Sequence, residues 1–171
     1  TFEMNTSWCC NIKHRVERVV AGEKHVLVLT TKECGSIVLT NQRQGDGDNN
    51  FNRTSGGNSN SNDVNSSNLL PVKGFPHGSR VVSMAVGGEH NLVAVEKTID
   101  NSTNKGNVYS FGKNNNYGQL GRRVTTTSAS ATECSYHSPE KAHLNVTIQL
   151  VEAGTNHSCF LSTTGVMFTC G

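Results

Sequence analysis

Three histidines, His25, His90 and His157, recur at intervals of 65 and 67 residues. Imidazole suits both metal ligation and proton transfer near neutral pH, so these are the first candidates for chemistry. Each stands three residues after a glycine: Gly22, Gly87 and Gly154. Between glycine and histidine lie Glu23, Lys24, Glu89 and Asn156. A metal centre would need the three imidazoles to converge. A group that recurs once per copy, at one fixed place, is instead spread well apart around an array of copies. Each histidine is therefore expected to hydrogen-bond within its own copy, clamping the turn after the glycine. The glycines serve the backbone, through close approach or unusual φ. Glu23, Lys24, Glu89 and Asn156 are expected on one rim, solvated, and are the residues placed to touch a partner.

The other candidates dissolve on spacing. Asp46, Asp48 and Asn50 open like a calcium loop, but Phe51 and Gly57 stand where glycine at the sixth position and glutamate at the twelfth are required. Gly56-Gly57 lacks the Lys-Ser/Thr of a phosphate loop. His14, His77, His137 and His143 have no telling spacing from a Ser or Cys nucleophile. The six cysteines (Cys9, Cys10, Cys34, Cys134, Cys159, Cys170) contain no C-x-x-C pair, and the vicinal Cys9-Cys10 chelates poorly. Reduced structural thiols in an intracellular protein are expected. Six N-x-S/T sequons are what chance gives in a chain so rich in Asn, Ser and Thr. No catalytic residue, metal or cofactor is assigned.

The elements that position these residues come from the repeat. Val16–His25, Val81–His90 and Ile148–His157 superimpose without gaps. Each histidine leads into an apolar run: Val26–Leu29, Leu92–Val95 and Cys159–Leu161. Further strands follow, headed by Gly35, Gly106 and Gly165, with alternation that suits one buried face. Gly106 and Gly165 are expected at positive φ in hairpin turns. The second strand group runs on to Gly112 and then to Gly118-Gln119-Leu120-Gly121. Pro71 and Pro139, 16 and 15 residues before their repeat glycines, precede the first strand of their units, where a missing N–H is tolerated. This divides the chain into an N-terminal extension or end of a preceding blade (1–14), three strand-rich portions (15–40, 69–121 and 139–171, the last cut short) and two inserts (41–68 and 122–138).

Composition agrees. Only 34% of the chain is hydrophobic and mean hydropathy is −0.44, against roughly 45–50% apolar in ordinary domains. Residues 41–68 hold 9 Asn, 5 Ser and 4 Gly in 28 residues, too little apolar matter to offset ordering, so this insertion is expected to be disordered. Net charge is +2, with no basic run beyond Arg122-Arg123, which gives no footprint for nucleic acid. No stretch is apolar for long enough to span a bilayer. The first residues carry neither the basic nor the apolar region of a signal peptide.

The pattern A-G-x-x-H with an apolar run, then G-x-V-Y-x-F-G over Gly106–Gly112, then G-Q-L-G over Gly118–Gly121, resembles the repeat of the regulator of chromosome condensation family. The resemblance covers 15–40, 71–121 and 139–171. The first copy departs from it, with Asn41 for the second glycine and Gly-Asp-Gly-Asp at 45–48 where G-Q-L-G belongs. It implies an all-β chain: an incomplete β-propeller of about two and a half four-stranded blades, from a family that builds seven. Closure takes roughly four to eight blades, so the remaining blades are expected from the same or another chain, and the isolated set is expected to be marginally stable.

For function, the resemblance implies a protein-protein interaction scaffold within a larger protein or assembly. The alternative it offers is guanine-nucleotide exchange on a Ran-type small GTPase, in a nuclear, chromatin-associated protein. Long polar insertions and the degenerate first copy favour the scaffold, with no enzymatic activity, protein partners and no membrane. Ultraviolet sensing by a tryptophan cluster is disfavoured, because Trp8 is the only Trp.

Overall fold

The structure is a computed structural model that describes residues 15–32, 35–40, 69–76, 78–97, 107–112, 115–122 and 139–171. The 1–14 extension, the 41–68 insertion, all of the 122–138 loop after Arg122, Gly106, and His14, His77 and His137 lie outside the described residues.

The described elements are all strands: β1 (Arg15–Ala21), β2 (Val26–Lys32), β3 (Gly35–Thr40), β4 (Leu70–Pro71), β5 (Ser79–Val86), β6 (His90–Lys97), β7 (Asn107–Gly112), β8 (Glu140–Lys141), β9 (Ile148–Ala153), β10 (Ser158–Ser162) and β11 (Met167–Cys170). They form three antiparallel sheets, ordered β1-β2-β3-β4, β5-β6-β7-β8 and β9-β10-β11. The first strand of each sheet bears an irregularity at the same repeat position. Register slips between Val16 and Arg18, between Val81 and Ser83, and opposite Leu161/Ser162, where Leu150 and Ile148 are paired but Gln149 is skipped. One extra residue per copy bends the strand at a fixed place and strengthens its twist. The gapless alignment of the copies is preserved because all three carry the bulge.

The sheets stack face to face. Because side chains alternate across a strand, the central β6 contributes to two cores at once. Val93 and Val95 join Met84, Val86 and Phe111 against Leu27, Leu29 and Val38 of the first sheet. Leu92 and Ala94 join Ala85 and Val108 against Val151, Ile148 and Phe160 of the third. That double burial is why 92–95 reads as an unbroken apolar run rather than an alternating one. Phe75, in the connection before β5, packs edge-on against Tyr109 and Phe111 at centroid separations of 5.6 and 6.5 Å.

The prolines sit differently from the sequence reading. Pro71 pairs with Leu39, and Pro139 leads directly into β8, which pairs with β7. Both therefore mark the short fourth strand at the edge of the preceding sheet, not the start of the next. An edge strand tolerates proline for the same physical reason, an N–H that no ladder needs.

Candidate functional site

The turns carrying the three histidines lie together at one end of the stack, and glycine is what lets them meet. A Cβ on Gly22 would lie 2.8 Å from the carbonyl oxygen of Gly87, and one on Gly87 would lie 2.7 Å from that of Gly154. The His90 ring folds back over Gly87, and the His157 ring over Gly154, closely enough that a methyl group at either glycine would overlap it. None of the three has positive φ; of the two roles the sequence left open, close approach is the one they fill. Positive φ occurs instead at Gly112 (149°), Gly118 (80°), Gly121 (60°) and Gly165 (85°), the last as expected for its hairpin turn.

Each histidine closes its own turn through its backbone, the carbonyl oxygens of His25, His90 and His157 accepting from the N–H groups of Gly22, Gly87 and Gly154, but two of the side chains reach into the next sheet. His25 Nε2 lies 2.8 Å from Asn91 Oδ1 in the second sheet, and His90 Nε2 lies 2.9 Å from Ser158 Oγ in the third. Each therefore reaches forward to the residue that follows the next histidine. For His90 the reason is steric: Cε1 and Nδ1 lie over its own Gly87, which leaves Nε2 to face the neighbouring sheet. Nor are the rings isolated, since His25 and His157 both act electrostatically on His90.

The second of these links is a relay. Ser158 Oγ donates to the carbonyl oxygen of Gln119 at 2.7 Å. A hydroxyl has one proton, so towards His90 it must accept, and His90 must carry its proton on Nε2. Nδ1 is buried with no hydrogen-bond partner. Burial above all, and then the nearby His25 imidazole, push the His90 pKa down from 6.5 to about 4. His25 is lowered as well, chiefly by burial, against the opposing bond to Asn91. Both rings stand neutral at pH 7.

A serine and a histidine within hydrogen-bond reach resemble a nucleophile and its base. Here the pair is structural. Ser158 and His90 are each 0% exposed, and the serine proton points at a peptide carbonyl rather than at the imidazole. Among the described residues no group of three or more His, Cys, Asp or Glu could hold a metal ion.

The Gly118-Gln119-Leu120-Gly121 turn is the other half of the relay. Gln119 and Leu120 are buried, and Gln119 Oε1 accepts from the Tyr117 N–H at 3.0 Å. Asn115 Oδ1 accepts from Leu120 N–H at 2.9 Å, and the Leu120 carbonyl accepts from Ser110 Oγ at 2.7 Å. Gly121 seats against Phe160, Ala142 and Cys170. This turn is thus a rigid wedge between the second and third sheets, with Tyr117, 62% exposed, at its tip.

The four rim residues lie at these same turns. Glu23, Lys24 and Asn156 are exposed and Glu89 half-buried. Lys24 Nζ and Glu89 Oε1 are 3.1 Å apart, bridging the first and second sheets. An exposed pair of this kind contributes little to stability, but it makes Lys24 and Glu89 partners of each other. Sequence reasoning singled out neither Asn91 nor Ser158. The signal for both was a polar residue opening an otherwise apolar strand.

Comparison with known proteins fits this architecture. Residues 105–161 match the family model described as the regulator of chromosome condensation (RCC1) repeat. Residues 105–161 thus carry a regulator of chromosome condensation repeat. The chain is 31% identical over 101 residues to the X-linked retinitis pigmentosa GTPase regulator of the dog, covering 59% of this chain and 8% of that protein. Among solved structures it resembles Prp20p from Saccharomyces cerevisiae (TM-score 0.58, 20% identity, 90% of this chain and 32% of that one). The same yeast protein bound to Kap60 gives a TM-score of 0.56 at 22% identity, over 93% and 30% of the two chains. Human WBSCR16 gives 0.59 at 21%, over 92% and 33%. The repeat-bearing chain therefore spans about a third of each solved structure. Its fold is a partial set of β-propeller blades of the RCC1 type.

Proposed function

We propose that this chain is part of a protein-protein interaction scaffold, a propeller segment that presents one face of turns to a protein partner within a larger protein or assembly. One observation carries the reading. Of the side chains best suited to chemistry, His25, His90 and Ser158 are buried and engaged in joining sheets, and His157 is exposed among the rim turns. The exposed ones, Tyr117, Glu23 and Asn156, stand on the turns of a single face. Rigid scaffolds carrying exposed residues on their loops are the common arrangement for recognition. In this reading the protein is intracellular and has no enzymatic activity of its own.

The second reading is guanine-nucleotide exchange on a Ran-type small GTPase. It is kept because yeast Prp20p is described with its binding properties to Gsp1p and histones, and because the canine relative is named a GTPase regulator. A fluorescent-nucleotide release assay on Ran separates the two. The scaffold reading expects no acceleration at micromolar protein, and acceleration would overturn it. A photo-crosslinker at Tyr117 is expected to capture a discrete protein adduct. The same probe at Thr164, exposed in the β10–β11 turn at the opposite end of the strands, is expected to capture none.

A further inference from the structure

We propose that the His90–Ser158–Gln119 chain is an acid-released latch between the second and third sheets: one proton added to His90 opens the contact that this histidine holds closed. The geometry carries the argument. In the closed state Nε2–H donates to Ser158 Oγ and the hydroxyl donates onward to the Gln119 carbonyl, so neither group can turn to accept a new proton. The proton must go to Nδ1, which is buried and has no hydrogen-bond partner. A charge there would be buried beside two other imidazoles with only the His157 backbone to favour it, an arrangement proteins avoid by changing conformation or protonation state.

The groups around the ring offer little relief. The His25 ring faces it from the β1–β2 turn and the His157 ring from the β9–β10 turn, and both rings disfavour added positive charge; only the His157 backbone, through a hydrogen bond, favours it, and burial and His25 outweigh that. Glu89, the nearest carboxylate in sequence, is held by Lys24 at 3.1 Å. Cys170 Sγ lies 3.7 Å from the Gln119 carbonyl oxygen, and burial raises its pKa, so it remains a neutral thiol. Opening the contact lets His90 meet water and take the proton at its ordinary pKa of 6.5 rather than at about 4. The neutral ring favours the closed state fully above pH 6.5. That preference is lost as pH falls from 6.5 towards 4, where both states are protonated.

Two amides report on this interface. Val151 N–H donates to Ser83 Oγ at 3.1 Å, and Gly88 N–H donates to the Thr155 carbonyl oxygen at 3.1 Å; both bonds cross from the second sheet to the third. Hydrogen–deuterium exchange of the intact chain, corrected for the intrinsic pH dependence of exchange, reads the opening constant at both. Between pH 7 and pH 5 it is expected to rise about twentyfold, the ratio given by a pKa of 6.5 when open and about 4 when closed. His90→Gln keeps a side-chain N–H donor but cannot take the proton, and is expected to flatten the dependence. A flat wild-type profile, or the same slope in the variant, would overturn the proposal. Direct NMR titration of the His90 ring needs no variant: a midpoint well below 6 supports the latch, and one near 6.5 refutes it.

Discussion

Replacing Ser158 by alanine tests the relay at its centre. The hydroxyl serves two buried groups, accepting from His90 Nε2–H at 2.9 Å and donating to the Gln119 carbonyl at 2.7 Å. Alanine fits the site, so the loss is electrostatic rather than steric, and both groups are stranded where water does not reach: His90 is 0% exposed and Gln119 1%. Leaving a buried donor or acceptor unpaired costs roughly 1–3 kcal/mol each. The weak approach of Cys170 Sγ leaves the carbonyl some compensation, which places the expected total at about 2–4 kcal/mol. Urea unfolding followed by far-ultraviolet circular dichroism measures it, through a shift in midpoint at unchanged slope. Pairing Ser158→Ala with His90→Ala should give a double loss smaller than the sum of the single ones, because each removes the same bond. A Ser158→Ala loss below about 1 kcal/mol, or strict additivity, would mean that the two groups find other partners and that the relay does not hold the sheets.

Two further substitutions probe the same interface by other means. Gly87→Ala places a methyl group against the His90 ring and the Gly154 carbonyl, and should lower the melting temperature more than Gly165→Ala, which meets nothing within 4 Å and bears only the strain of its φ of 85°. Phe160→Ala empties the centre of the core between the second and third sheets and should cost about 3–5 kcal/mol in the same urea experiment.

Much of this arrangement was legible in the chain, and the rest was hidden for identifiable reasons. The strands and turns could be read because glycine, histidine and the apolar runs report local geometry, and local geometry repeats. The direction of the histidine links could not be read from repetition alone, since a ring lying on its own glycine serves equally to close its own turn or to bridge. What decides is the acceptor, and its type changes from copy to copy: Asn91, Ser158 and, in the first copy, Val26, whose side chain can accept nothing. The fourth strands, expected from the four-stranded blades of the resemblance, could not be placed because two residues have no periodicity. Leu70-Pro71 and Glu140-Lys141 are recognisable only by their pairing with Thr40-Leu39 and Ser110-Tyr109. The rim assignment placed Lys24 and Glu89 on the surface but could not reveal that they face each other across a sheet boundary.

That fourth strand has a consequence for how the chain is made. The edge of the first sheet is covered by residues that follow Thr40 only after the whole Asn-rich insertion has been synthesised. At ribosomal speeds of about 5–20 residues per second, β3 waits roughly 2–6 seconds for its partner. During that interval its backbone groups are open to any other strand, and a bare edge is an invitation to wrong pairing. The insertion that separates them is almost devoid of apolar side chains, with Phe51 and Val64 its only large ones. Such a segment makes a poor competitor for the vacant edge. A stretch with so little apolar matter can thus still count in the birth of the molecule, by being too polar to occupy the place that Leu70 and Pro71 will take.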